Sequence, residues 1–326
     1  PMPQKNVDVL GIGNAIVDVI ARHDDAFLDI NALEKGSMQL IDEDGAVSLY
    51  DKIGPATEIS GGSAANTIAG VTSLGGTAGY IGKVATDQIG DVFAHDIRAA
   101  GVSFDTPALN GGPQTARCIV IVTPDGQRTM STYLGACAML GPDDVSEQQV
   151  ASATITYLEG YLWDRPNAME AFRKAAQLAG SNKRQVALTL SDSFCVDRHR
   201  DSFRSLIRDG VDVLFANEAE ILSLYQTSSL QDAMAAVAQD CSLAAITRSE
   251  KGSAIVTGST VTEVAAQPVD KVVDTTGAGD LYASGFLFGH AHDKPVAECA
   301  RLGHVAAAEI ISHIGARPQV DLKSLI

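Results

Sequence analysis

Short apolar runs alternate with helix-period segments along most of the chain, and this rhythm predicts the elements. Residues 7–13, Val-Asp-Val-Leu-Gly-Ile-Gly, read as a strand entering a glycine turn. Residues 64–74 read as a helix ending at Gly75-Gly76, and 78–84 as a strand. Over 89–100, Ile89, Phe93, Ile97 and Ala100 recur on one helical face, and Gly101 stops the helix. Beyond Pro142 the candidate strands are 155–158, 186–190, 211–215 and 243–247. Helical segments near 166–179, 198–208, 217–225 and 230–239 separate them, and further helical runs cover 281–291 and 296–311. Such alternation predicts an α/β fold with a doubly wound, mostly parallel central sheet flanked by helices.

Five short strand-like pieces break the rhythm: 17–20, 37–41, 57–60, 116–122 and 128–134. The last two flank Pro124-Asp125-Gly126, a turn signal, and read as a β-hairpin. They predict a small β-sheet lid drawn from residues 14–60 and 112–134. The α/β core would then comprise 1–13, 61–111 and 135–326. No repeat, low-complexity stretch or Pro/Ser-rich linker divides the chain, so one compact unit is expected.

Composition narrows the chemistry. With nine Phe, seven Tyr and one Trp among 326 residues, the core must be mainly Ala, Val, Ile and Leu, as in a buried parallel sheet. The 24 Lys and Arg against 40 Asp and Glu give a net charge of −16. That balance excludes general nucleic-acid binding and a polybasic membrane surface, which need basic side chains. Residues 59–82 carry no charge, but Gly, Ser, Thr and Asn interrupt them, unlike a membrane span. The stretch 1–8 shows no secretory pattern. The five cysteines form no C-x-x-C pair, which points to reduced thiols in a cytoplasmic protein.

Four motifs carry candidate chemistry. Asp274-Thr275-Thr276-Gly277-Ala278-Gly279-Asp280 follows a strand-like 271–273 and opens a helix. Its small residues let backbone N–H groups converge at a helix N-terminus, an anion site without basic side chains. Asp280 in the first turn could accept the proton of an attacking hydroxyl, or merely complement the helix dipole. Gly61-Gly62-Ser63-Ala64-Ala65-Asn66-Thr67 is either a turn with Ser63 as helix cap, or a ligand turn in which Asn66 serves vicinal hydroxyls. In Gly11-Ile12-Gly13-Asn14-Ala15-Ile16-Val17-Asp18 the third glycine of a dinucleotide fingerprint is missing, so an NAD-dependent oxidoreductase is only a remote alternative. Asn14 and Asp18 suit sugar hydroxyls instead. Asn217-Glu218-Ala219-Glu220 reads as a capping box, or as a site where Glu220 meets water-coordinated Mg²⁺ on a nucleotide. A P-loop fails, with Thr77 and Val84 at its required Gly and Ser/Thr positions. No G-x-S-x-G or H-E-x-x-H occurs.

Taken in order, these motifs resemble the ribokinase-like, PfkB-type carbohydrate kinase family: Gly61-Gly62…Asn66, Gly82-Lys83…Asp87…Gly90, Asn217-x-x-Glu220, Thr247…Gly252 and Asp274…Gly277-Ala278-Gly279-Asp280. The likeness covers essentially the whole chain. Within the family, Gly13-Asn14…Asp18, Arg128-Thr129-Met130, residues 215–220 and residues 299–307 are most similar to the adenosine kinase branch. The resemblance implies a β-sheet lid and transfer of the ATP γ-phosphoryl group to a nucleoside 5′-hydroxyl, with Mg²⁺ and in some members K⁺. It implies Asp280 as base, Gly277, Ala278 and Gly279 as anion hole, and Arg128 on the transferring group. It places Asn14, Asp18, Gly62, Ser63 and Asn66 at the ribose. Met38, Leu40, Met130, Thr132 and Tyr161 or Leu162 would line the base pocket. Asn217, Thr247, Gly252, Thr275, Gly277, Gly279 and His304 would bind ATP, and Glu220 would hold Mg²⁺ through water. Ser249 stands where the family often has Gly. The base-pocket positions also depart from eukaryotic adenosine kinases, which keeps inosine, guanosine, cytidine and a ribose- or fructose-like sugar open as substrates. A monomer or homodimer fits the family.

Overall fold

The computed structural model describes residues 7–326; the N-terminal stretch read for a targeting signal lies mostly outside them. The strands are β1 (Val7–Ile12), β2 (Ile16–Arg22), β3 (Met38–Leu40), β4 (Thr57–Ser60), β5 (Ala78–Ile81), β6 (Val102–Phe104) and β7 (Ala116–Val122). They continue with β8 (Arg128–Tyr133), β9 (Ala153–Glu159), β10 (Gln185–Thr189), β11 (Val213–Asn217), β12 (Leu243–Thr247), β13 (Ser253–Thr257) and β14 (Thr260–Val264). The helices are α1 (Asp25–Ile30), α2 (Glu43–Lys52), α3 (Ser63–Ser73), α4 (Gln88–Ala99), α5 (Glu147–Ser152) and α6 (Pro166–Ser181). Then come α7 (Ser193–Gly210), α8 (Glu218–Tyr225), α9 (Leu230–Asp240), α10 (Ala278–Ala291) and α11 (Val296–Ile311).

The described residues form a nine-stranded sheet ordered β14-β13-β12-β11-β10-β9-β1-β5-β6. The run from β12 to β6 is parallel, and β13 and β14 close one edge antiparallel. Alternation along each strand serves both faces. From β1 and β9, Val9, Ile155 and Tyr157 join Phe93, Phe286 and Ala300 beneath α3, α4, α10 and α11. Leu10, Ile12 and Leu158 face the other way, with Phe172, Phe203 and Ile221 of α6, α7 and α8. Trp163 belongs to this second layer, stacked on Phe172 and Phe203 with its indole N–H donated to Ser202 Oγ at 2.6 Å. Leu162 is buried in the same cluster, which removes it from any ligand pocket.

A second sheet, β3-β8-β7-β2-β4, stands apart from the first. The hairpin expected around Pro124-Asp125-Gly126 joins β7 to β8. One face of this sheet packs Val19, Ala21, Ile119 and Ile121 against α1 and α2, two short helices that the sequence pattern did not single out. One expectation fails. Residues 271–273 are not a strand, because the N–H groups of Val273 and Asp274 both donate to the Ile311 carbonyl, at 2.8 and 3.3 Å, pinning the segment to the end of α11.

Candidate active site

In the large sheet the strand order reverses between β1 and β9, and ligands of open α/β sheets bind beyond the carboxyl ends of strands at such a point. Two glycine turns meet there. Gly62, at φ +91°, lets the chain enter α3 without a side-chain cap, and a Cβ on it would lie 2.6 Å from the Asn14 carbonyl oxygen. Ser63 is therefore the first helical residue and not the cap. Its hydroxyl instead donates to Asp280 Oδ1 at 2.6 Å. Gly277, at φ +81°, enters α10 in the same uncapped way. The Ala278 N–H turns back to the Thr275 carbonyl, and Asp280 sits in the first turn.

Asp280 is held from α3 on both oxygens, by Ser63 and by Asn66 Nδ2 at 3.3 Å. Burial pushes its pKa up to about 6, against the lowering effect of those hydrogen bonds and of Arg317. Asn66 is buried, and its amide is engaged by Asp280 and Arg317. Asn14 is likewise engaged: its N–H and Nδ2 donate to the Glu159 carboxylate at 3.3 and 3.1 Å. Glu159 also accepts from the Ala64 N–H at 3.0 Å. Burial raises the Glu159 pKa to about 7.

An open cavity of about 870 Å³ spreads from Asp280 across the ends of β10, β11 and β12. It gathers the predicted residues Ser63, Tyr161, Asn217, Glu220, Thr247, Gly252, Thr275, Gly277, Ala278, Gly279, Asp280 and His304. Tyr161 thus stands with the glycine turn and not with the small sheet. Asn217 and Glu220 form the capping box, with the Glu220 N–H donating to Asn217 Oδ1 at 2.8 Å. Glu220 Oε1 accepts from the Asn217 N–H, while Oε2 is buried without a hydrogen-bond partner. Burial pushes this carboxyl up to about 7. An orphaned carboxylate oxygen on the wall of so large a cavity fits a cation carrying its own waters. Ser249 adopts φ +53°, the left-handed backbone that Gly would take at that position, so the loop keeps its shape with a side chain in place. His304 is buried against Tyr282, sharing a hydrogen bond with Ser253 Oγ at 2.9 Å; burial lowers its pKa, leaving a neutral ring on the cavity wall.

The small sheet supplies the rest through its register. Asp18, Cys118, Thr132 and Leu40 form one cross-strand row, and Val120, Met130 and Met38 occupy the next row in the same phase. Paired residues share a face, so Asp18, Met38, Leu40, Arg128, Met130 and Thr132 all lie opposite the face covered by α1 and α2. Met38 and Leu40 are 55% and 64% exposed. Leu40 and Thr132 also line a smaller cavity of about 290 Å³. Burial raises the Asp18 pKa to about 6, opposed by the charges of Arg128 and Arg317. Arg128 pairs with Asp274 at 3.0 Å, tying the small sheet to the glycine turn. Although burial pushes the Asp274 pKa up, hydrogen bonds from Thr276 and Gly315 and the Arg128 charge hold it below its ordinary value.

Residues 38–322 match the pfkB family carbohydrate kinase description. The chain belongs to the pfkB family of carbohydrate kinases. It is similar to the crystal structure of adenosine kinase from Sinorhizobium meliloti, at 55% identity and TM-score 0.90, covering 98% of each chain. It is also similar to the structure of a probable sugar kinase protein from Rhizobium etli, at 51% identity and TM-score 0.91, covering 99% of this chain and 98% of that one. An ATP-dependent ribose-1-phosphate kinase of Halopiger xanaduensis is 28% identical over 86% of this chain and 88% of its own. Family membership makes the chain an ATP-using phosphotransferase with an alcohol group as acceptor. No described helix is long and apolar enough to cross a membrane.

Two residues of the site escaped the sequence reading. Glu159 ends β9 at the reversal of strand order, and its place one residue beyond an apolar run was the available signal. Arg317 lies in a loop after α11 with no local pattern to mark it.

Proposed function

We propose that the protein is a cytoplasmic nucleoside kinase that transfers the γ-phosphoryl group of ATP to the 5′-hydroxyl of adenosine, giving AMP and ADP. The observation that carries this reading is the Asp280 carboxylate, fixed by Ser63 and Asn66 in the first turn of α10 beside the uncapped Gly277 turn. A base so placed can take the hydroxyl proton while N–H groups of the turn face the charge developing on the phosphoryl oxygens. Ionised at neutral pH yet buried enough to be basic, Asp280 suits that task.

Asp18, on the face of the small sheet opposite α1 and α2, would accept from the ribose hydroxyls. Met38, Leu40, Met130 and Thr132, on the same face, would cover the base as that sheet closes as a lid and excludes water. Arg128 would leave or share Asp274 to meet the transferring group. The nucleotide would occupy the larger cavity, with Asn217, Thr247, Gly252, Thr275 and His304 on its walls. Glu220 would hold Mg²⁺ through water, and bound Mg²⁺ would neutralise phosphate charge. K⁺ dependence and a monomeric or dimeric state are carried as family expectations.

The relatives favour one alternative acceptor, a free or phosphorylated furanose sugar. A panel of nucleosides and sugars with ATP, read by coupled ADP detection, separates the two. Adenosine should give the highest kcat/KM. Ribose or ribose 1-phosphate preferred over every nucleoside would sink the adenosine reading.

A further inference from the structure

Arg317 lies beside the candidate base but outside every motif. Its Nε donates to Asn66 Oδ1 at 2.7 Å, and an Nη donates to the Gly61 carbonyl at 3.3 Å. Among the described residues no carboxylate comes within ion-pair distance of it. Its charge instead acts through space on Tyr80 of β5 and Asp96 of α4, and on Asp18 of the small sheet and Asp280 of α10. A partly buried guanidinium without a directly paired anion is expensive, so a structural role alone accounts poorly for it.

The geometry points to Arg317 as the positioning residue of the catalytic base, acting through the orientation of Asn66. A side-chain amide has one accepting end and one donating end. Arg317 can only donate, so it takes the Oδ1 end and turns the Nδ2 end toward Asp280 Oδ2. Flipped, the amide would set its oxygen against a carboxylate and its NH₂ against a guanidinium, unfavourable at both ends. With Ser63 on the other oxygen, the carboxylate is then held in one rotamer. The same guanidinium grips Gly61, which packs against Asp18: a Cβ on Gly61 would meet Asp18 Oδ2 at 2.9 Å. Arg317 therefore joins the proposed sugar-binding turn to the proposed base.

The inference rests on the kinase reading above. Its test uses the kcat–pH profile, so the groups around Asp280 matter. Besides Arg317 these are Tyr157 and Glu159 of β9, Tyr161 beyond it and Glu220 of α8. The neighbouring carboxylates oppose ionisation of Asp280, and among the described residues Arg317 is the cation that favours it.

Arg317→Met should lower kcat about 10–100-fold, as expected for a misaligned base, with a smaller rise in nucleoside KM through the Gly61 turn. The acid limb of kcat should move to higher pH. Arg317→Lys keeps the charge without the planar fork; it should restore the limb but not the full kcat. In a double-mutant cycle, Arg317→Met with Asn66→Ala should be no slower than Asn66→Ala alone. Unchanged kcat and pH limb in Arg317→Met, or multiplicative losses in the cycle, would overturn the inference. If circular dichroism shows Arg317→Met unfolded, the cycle is run with Arg317→Lys under the same criterion. A parent protein that phosphorylates no nucleoside or sugar overturns the kinase reading itself; an active parent matched by its variants overturns only this inference.

Discussion

The proposed chemistry concentrates on Asp280, whose protonation would set the pH response. Burial raises its pKa to about 6, so the inactive acid form persists to higher pH than for an exposed aspartate. Turnover should therefore fall as pH drops through about 6, and a kcat profile flat down to pH 4.5 would remove Asp280 as the base. Asp280→Asn should still bind nucleoside in a thermal-shift assay while kcat drops about 10²–10⁴-fold, the range general-base catalysis contributes. Ser249 offers a quieter test. Its left-handed backbone strains a side chain, so Ser249→Gly should raise stability by up to about 1 kcal/mol in urea denaturation, because the relief exceeds the added chain entropy. A loss of stability would show that the serine side chain offsets the strain.

Among the elements, the uncapped starts of α3 and α10 matter more than the helices' own propensities. A glycine at each start gives the backbone its left-handed or extended entry, and the opening residue of α3 serves Asp280 in place of its own helix. Gly277→Ala would strain φ +81° and bring a Cβ to 2.9 Å from Ala316 Cβ. It should raise the KM for ATP and lower kcat by at least about tenfold, with folding retained, since the turn lies at the surface of the cavity. Equal kinetics in Gly277→Ala would show that the turn does not shape the anion site. The small sheet carries its proposed ligand residues through period-two alternation. Arg128, Met130 and Thr132 were legible as a set in the sequence, because a strand puts alternate residues on one face. That Asp18, a hundred residues before Cys118, joins the Cys118–Thr132 row was not legible, because register between distant strands is decided by pairing.

For the molecule entire, a charge of −16 coexists with four buried carboxylates around the candidate site, Asp18, Glu159, Glu220 and Asp280, of which Glu220 and Asp280 line the large cavity. Burial raises all four above their ordinary values, so the folded state binds their protons more tightly than the unfolded chain. The stability this contributes is present below about pH 4, the unfolded carboxylate range, and is lost as pH rises through 6 to 7. The Tm of the ligand-free protein should fall between pH 5 and 8, and Glu159→Gln should flatten that fall. A Tm difference between parent and Glu159→Gln that stays constant with pH would rule this out. Mg-ATP should raise Tm by binding the folded state alone, and NAD should leave it unchanged.

The sequence by itself determined the alternation of strands and helices, the glycine turns, the aspartate that follows one of them and the family these share. All are local: periodicity, φ-permissive residues and short spacing are written in consecutive positions. Tertiary structure alone decided which side chains answer one another across the fold. Ser63 left its expected capping role for Asp280, Asn14 turned to Glu159, residues 271–273 docked on α11 instead of forming a strand, and Arg317 arrived from the far end of the chain to orient Asn66. Each of these depends on a donor and an acceptor brought together by packing, and no local pattern in the chain records that distance.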